Sequence, residues 1–273
     1  MHLRSLAQFT ALDASPADLV SIASDAMLDA VGLRLHPDAG FPDEPSFDTP
    51  SVSSQQFKEV CRRLADTGLA VLDVEVVRLL PETEAAHYEP LMEMAADLGA
   101  GYVIATGSDP DEARTADNFG KLYALAQPYG LNVMLEFVRY AEVRSMAQTH
   151  RIITASGATN GKILINTLHF FRAGETLEGV KAFDPSLFPY IQISDGPLAP
   201  PPGDGIRIEG RSNRMFPGEG GLPLAALLSI LPDGIPLSVE VSNDRIAQTH
   251  SPAERAKRAA DSLNAFLAGI LVA

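Results

Sequence analysis

Cysteine is almost absent from this chain: Cys61 is the single one among 273 residues. That excludes an internal disulfide framework and a cysteine-rich metal site. Cys61 falls within a helical pattern, so it reads as a small buried hydrophobe rather than a nucleophile. Positive charge is also scarce, with 21 Lys and Arg against 35 Asp and Glu and a net charge of −14. Such a balance argues against a nucleic-acid partner, because neutralising phosphates takes clustered Lys and Arg, and it reads as ordinary solubility charge. Long apolar runs are missing as well. The segment 1–9 has no basic start leading into a continuous apolar core, so no signal peptide is expected. The apolar run 265–273 is far too short to span a bilayer. A cytoplasmic location, with no membrane partner, is the expectation.

What the chain does have is alternation. Strand-like segments lie at 3–9, 30–35, 69–79, 102–106, 132–137, 162–168, 190–194 and 236–241. Helical patterns fill the intervals, at 15–28, 53–66, 82–98, 111–127, about 141–156, 175–183 and 222–231, with a last helix opening at Ser251-Pro252. Ser15 followed by Pro16 is a helix start, with proline where its missing N–H costs nothing. Phe57, Val60, Cys61 and Leu64 recur at helical spacing, and Gly68 stands just past the end of that helix. Phe119, Leu122 and Ala126 form a second inward stripe, and Ala256, Ala259, Leu263, Phe266 and Ile270 a third. Eight strand–helix units in one unbroken series predict an α/β fold of the (β/α)8 TIM-barrel type, a single domain over 1–273. An open doubly wound sheet is the weaker alternative, because no glycine-rich phosphate loop follows the first strand. The Pro- and Gly-rich stretch 196–221 is read as a long active-site loop on the face where barrel sites form.

The strands end in polar residues. Glu136, Asn166, Gln192 and Glu240 fall near the C-terminal ends of strands five to eight, which places them around one point of the barrel mouth. Two carboxylates and two carboxamide oxygens make an oxygen-rich set suited to Mg2+ or Mn2+. His169 follows Asn166 by three positions and is placed to contact substrate. Arg211 and Arg214, in the long loop, are candidates to hold an anionic or hydroxyl-rich small molecule, with Pro217-Gly-Glu-Gly220 as the turn that fixes Arg214. Arg34 and His36, at the end of strand two, are expected to reach the cleft. Glu75 and Arg78 are read as an ion pair within strand three, and Asp195 as a residue that orients Gln192 or caps the loop. His2, His87, His150 and His250 carry no site signal.

Several of these segments carry a family resemblance: Leu135-Glu136, Asn166-Thr-Leu-His169, Ile191-Gln192-Ile-Ser-Asp195, Arg214-Met-Phe-Pro-Gly-Glu-Gly220 and Ser238-Val-Glu240-Val241. The chain resembles, over most of its length, the xylose isomerase-like TIM barrels of the sugar-phosphate isomerase and epimerase type. The resemblance implies metal ligands at Glu136 and Glu240 and a substrate contact at Arg214. In that family the sixth-strand motif usually reads Asp-Thr-Phe-His and the seventh supplies a His ligand. Here Asn166 and Gln192 hold those places, while His169 matches. One negative charge and one good nitrogen donor are thereby lost, so a divalent ion is expected to bind less tightly. Without an ion, the charges of Glu136 and Glu240 would raise at least one apparent pKa of the pair.

The implied chemistry is proton abstraction next to a carbonyl. One glutamate removes the proton and the other returns it, while a metal, or else Arg214 and His169, meets the enediolate charge. This points to a sugar or sugar-like ketone isomerase or epimerase. The alternatives are a dehydratase of a cyclic keto acid of the 3-dehydroshikimate kind and a non-catalytic sugar-binding member. A DNA-repair endonuclease relative is disfavoured by the acidity and by the missing His-rich ligand set. Barrel relatives often pair, so a homodimer is an open alternative, and no stretch of the sequence marks an interface.

Overall fold

The computed structural model of the chain describes residues 2–40 and 51–272. Its strands are β1 (Arg4–Ala7), β2 (Ala30–Leu33), β3 (Ala70–Leu79), β4 (Tyr102–Gly107), β5 (Asn132–Glu136), β6 (Lys162–Asn166), β7 (Ile191–Ile193) and β8 (Leu237–Val239). All eight run parallel, each against the next. β1 meets β2 through Leu6 and Val31 and closes on β8 through Leu6 and Val239. The predicted (β/α)8 barrel therefore forms, and its closure rules out the open sheet.

Helices wrap the outside: α1 (Pro16–Asp25), α2 (Gln55–Thr67), α3 (Glu89–Asp97), α4 (Glu112–Ala126), α5 (Met146–Ala155), α6 (Thr167–Arg172), α7 (Leu177–Lys181), α8 (Gly205–Ser212), α9 (Leu224–Leu228), α10 (Asp244–Ala247) and α11 (Pro252–Val272). Their starts follow side-chain chemistry. Ser15 accepts from the Asp18 N–H, Ser54 from Phe57, Asp111 from Ala113 and Arg114, and Ser145 from Gln148. Each satisfies amide donors that the first helical turn leaves unpaired. Gly68 ends α2 at φ 72, a left-handed conformation that a Cβ disfavours. Phe57, Val60, Phe119, Leu122, Ala126, Ala256, Ala259 and Leu263 are buried as their spacing predicts, and Cys61 is half-buried among them.

Several boundaries differ from the sequence reading, for local reasons. α5 starts at Met146, not near 141, because 138–143 turns back on itself through Val138 N–H to Val143 O. β6 stops at Asn166, and Thr167 opens α6, so His169 sits on a helix rather than past a strand. The helix expected over 175–183 is the shorter α7, and that over 222–231 is the shorter α9. The region 82–98 begins as a 3-10 turn at Ala85–Tyr88 before α3. Within 196–221 the chain is not loop throughout: it forms α8, whose Glu209 is clamped by Arg172 of α6 at 2.6 and 2.7 Å.

Two apolar layers hold the barrel. The larger lies between strands and helices, and a smaller plug of Leu72, Val76, Ile104, Met134, Leu164 and Tyr190 fills the interior. Side chains of a strand alternate between these layers. In β5 and β6 the inward positions that follow Met134 and Leu164 are therefore Glu136 and Asn166. The plug is the floor on which the polar mouth stands. Among the described residues, no helix is long and apolar enough to cross a membrane.

Candidate active site

At the C-terminal end of the barrel lies a cleft. Glu136, Glu240, His169, Arg34, Arg211 and Arg214 all line it. Asn166 and Gln192 are direct register partners on β6 and β7 and sit at its base. Asn166 Nδ2 donates to Gln192 Oε1 at 3.2 Å and to Glu240 Oε2 at 2.6 Å. Arg214, 3% exposed, makes an ion pair with the same Glu240 oxygen and donates through Nε to the Gly210 carbonyl at 2.8 Å. Glu240 is thus a bound carboxylate with two donors on one oxygen. Glu136, 8% exposed, has no ion pair among the described residues.

The electrostatics follow that asymmetry. Burial, and then the charge of Glu240, push the Glu136 carboxyl up to about 8, against the pull of Arg214. Burial alone would lower the Arg214 guanidinium, but Glu240, Tyr140 and Glu136 raise it above its ordinary value. His169 is driven well below the usual imidazole range by burial and by Arg214, so it is a neutral ring. Its edge meets Tyr140 at 5.3 Å. Burial, Arg34 and Arg214 bring Arg211 down to about 10.

The turn that follows Arg214 is fixed by Asp195. Its carboxylate accepts N–H groups from Gly196 at 2.8 Å, Gly218 at 3.1 Å, Gly220 at 3.0 Å and Leu222 at 3.0 Å. Gly218 takes φ 85 in that turn. Of the two roles read for Asp195, the structure gives it loop capping.

Two expectations are corrected. His36 does not line the cleft; its Nδ1 lies 2.7 Å from the Pro37 carbonyl oxygen and its ring packs on Tyr88 at 5.2 Å. Glu75 and Arg78 are not an ion pair with each other. Glu75 pairs with Arg34 at 3.4 Å, and Arg78 grips Asp38 at 2.8 and 2.6 Å. Both Glu75 and Arg78 line the cleft, but each takes its partner from the chain that follows β2.

The sequence reading missed Glu75 as a wall of the cleft, together with Phe9, Tyr140 and Thr106. Burial, opposed by Arg34 and helped by Glu240, raises the Glu75 carboxyl to about 7. Phe9 lies within 4.7 to 5.2 Å of the guanidinium carbons of Arg34, Arg211 and Arg214, so one aromatic face organises three cations. Position was a signal for Phe9 and Thr106, which lie close to the ends of β1 and β4, whereas Glu75 stands within β3 and Tyr140 in the turn after β5.

Comparison with known proteins agrees with this architecture. The profile of the xylose isomerase-like TIM barrels matches residues 20–266. The chain belongs to that family. Among curated proteins, the inosose isomerase of Bacillus velezensis is 28% identical over 156 residues, 54% of each chain. A 3-dehydroshikimate dehydratase of Pseudomonas aeruginosa is 25% identical over 217 residues, 72% of this chain and 33% of that one. The matched stretch thus spans about half the length of the inosose isomerase relative. The crystal structure of the IOLI protein with a bound zinc atom superposes with a TM-score of 0.78 at 19% identity, covering 98% of both chains. An L-ribulose 3-epimerase structure gives 0.71 at 16%, over 99% of this chain and 96% of that one. At such identities these structures show a shared fold.

A relative with bound zinc raises the question of whether these residues fit an ion, and they do not. A divalent cation needs converging lone pairs. Here Asn166 turns its NH2 toward Glu240, Gln192 spends its carbonyl on Asn166, and Glu240 already holds a guanidinium. Among the described residues no three His, Cys, Asp or Glu side chains gather as a metal site.

Proposed function

We propose that this chain is an isomerase or epimerase of a sugar or sugar-like ketone, working by proton transfer next to a carbonyl. The observation that carries the reading is the pair of glutamates in one cleft with opposite environments. Glu240 is bound as a carboxylate by Arg214 and Asn166, whereas burial keeps Glu136 protonated up to about pH 8. One carboxylate and one carboxylic acid are what a base–acid pair needs. Glu240 takes the carbon-bound proton and the electron pair passes to the carbonyl oxygen. As that pair returns, Glu136 gives its proton to the opposite face of the same carbon or, with the neighbouring hydroxyl proton passing to the first oxygen, to the adjacent carbon. This leaves Glu240 protonated and Glu136 ionised. Arg214 and the neutral His169 face the oxygen that gains charge. Arg34 and Arg211, stacked on Phe9, supply donors for substrate hydroxyls. The inosose isomerase relative and the epimerase neighbour support this class.

The test is deuterium incorporation from D2O into a panel of ketoses and inososes, followed by NMR. Exchange at one carbon-bound position is expected in the native chain and lost in Glu136→Gln and Glu240→Gln. Full exchange in either variant sinks the assignment. A second reading, dehydration of a cyclic keto acid, draws on the 3-dehydroshikimate dehydratase match, which covers most of this chain. It shares the enolisation step and is told apart by release of water with a conjugated, ultraviolet-absorbing product. Ligand binding without exchange would favour the non-catalytic alternative.

A further inference from the structure

We propose that in this chain the Arg214 guanidinium takes the place of a divalent cation, so that the site neither retains a metal ion nor needs one. The activity part of this inference rests on the proton-transfer reading above; the metal-binding part does not.

Four observations carry it. First, the positive charge is already built in and immobile. Arg214 is 3% exposed, anchored by Nε to Gly210 O at 2.8 Å, and bonded to Glu240 through both its side chain and, at 3.2 Å, its carbonyl oxygen. A planar guanidinium fixed at several points is a pre-organised cation. Second, the donor end of Asn166 is committed to two protein partners, although its Oδ1 is buried without a hydrogen-bond partner among the described residues. The same Nδ2 of Asn166 serves Gln192 and Glu240, so rotating the amide to present Oδ1 to an ion would remove donors from both buried acceptors. Third, the site keeps its net charge low without an ion. Glu240 has Arg214, and Glu75 has Arg34 at 3.4 Å. A divalent ion entering beside Arg214 would meet like charge and gain only Glu136 as a fresh carboxylate. Fourth, the loop that delivers Arg214 is locked by the four amides on Asp195, so the guanidinium does not have to be ordered when substrate arrives.

The experiment uses the full chain purified without chelator or added metal. Metal content is measured by elemental analysis, and thermal stability is followed during titration with ZnCl2, MnCl2 and MgCl2. Asn166→Asp/Gln192→His restores a carboxylate and an imidazole at the two amide positions. The native chain is expected to carry substoichiometric metal and to show no saturable stabilisation. The double variant is expected to bind Zn2+ or Mn2+ roughly 100-fold more tightly than the native chain, on the scale of lost ligand support. In the activity arm, exchange by the native chain is expected to survive extended chelation. A native chain that purifies with one equivalent of ion, is stabilised by an ion as strongly as the double variant, or loses exchange on chelation and regains it with metal, overturns the proposal. If no ketose exchanges, the functional reading falls while the metal content and titrations still decide this one. If the double variant does not fold, the native chain's metal content and titrations alone still decide.

Discussion

The mouth of the barrel has two sides that handle buried acidity differently. On the β2–β3 side two carboxylates each have an arginine: Glu75 has Arg34 at 3.4 Å and Asp38 has Arg78 at 2.8 and 2.6 Å. On the β5–β8 side one arginine serves two glutamates, bonded to Glu240 and leaving Glu136 to burial. The first arrangement fixes positions, because a paired buried charge is expensive to disturb. The second leaves Glu136 without an ion pair among the described residues, and its carboxyl is pushed up to about 8, beyond the about 7 of the Arg34-paired Glu75. Three glutamates reach the same cleft; Glu75 and Glu136 are both raised toward neutrality, and Glu136, the one without an ion pair, is raised further.

The comparison can be broken by swapping the burden between its sides. Glu136→Gln is expected to slow proton exchange by about 10²–10⁴-fold, the range of a general acid–base group, while Glu75→Gln costs far less. Equal losses by NMR exchange would erase the distinction between the two sides. Arg214→Met leaves Glu240 buried and unpaired, and unfolding in denaturant should register a loss of about 3–5 kcal/mol. Arg34→Met removes a longer ion pair and should cost less in the same assay.

The pH dependence of stability sharpens the same point. In the folded chain Glu136 keeps its proton up to about 8, whereas in the unfolded chain it loses it near 4.5. Between those values the folded state binds more protons, so stability falls as pH rises. Glu75, raised to about 7, adds to the slope over the lower part of that window. Thermal midpoints measured across it should fall more steeply for the native chain than for Glu136→Gln, and parallel curves would refute the assignment. The smallest effect belongs to His36→Ala, which should leave exchange unchanged and cost about 1 kcal/mol or less in stability through its lost contact with the Tyr88 ring.

Much of this was legible in the sequence. Eight strand–helix units predicted the barrel because apolar period and helix caps are local signals. Glu136, Asn166, Gln192 and Glu240 were legible because strands five to eight end in polar residues, His169 from its place after Asn166, and Arg211 and Arg214 from the long loop on the same face. What escaped was pairing across strands. Glu75 and Arg78 looked like partners because they are close in sequence, yet their true partners, Arg34 and Asp38, come from the β2 end and the residues after it. His36 looked like a site residue for the same reason of nearness, and one turn of backbone takes it to Tyr88 instead. Phe9 carried no signal of its own, since its role emerges only when three arginines from separate segments meet its face. The helix α8 was hidden by the Pro and Gly around it.

Asp195 has an architectural consequence. One carboxylate on the end of β7 grips the chain where the segment leaves the barrel, at Gly196, and again where it returns, at Gly218, Gly220 and Leu222. The twenty or so residues between are a cassette with both ends pinned to the same side chain. Within it, the portion before α8 is free to change length or composition without shifting the guanidinium that follows. The stretch 198–204 lines no wall of the cleft, so it can diverge while Arg211 and Arg214 stay in register.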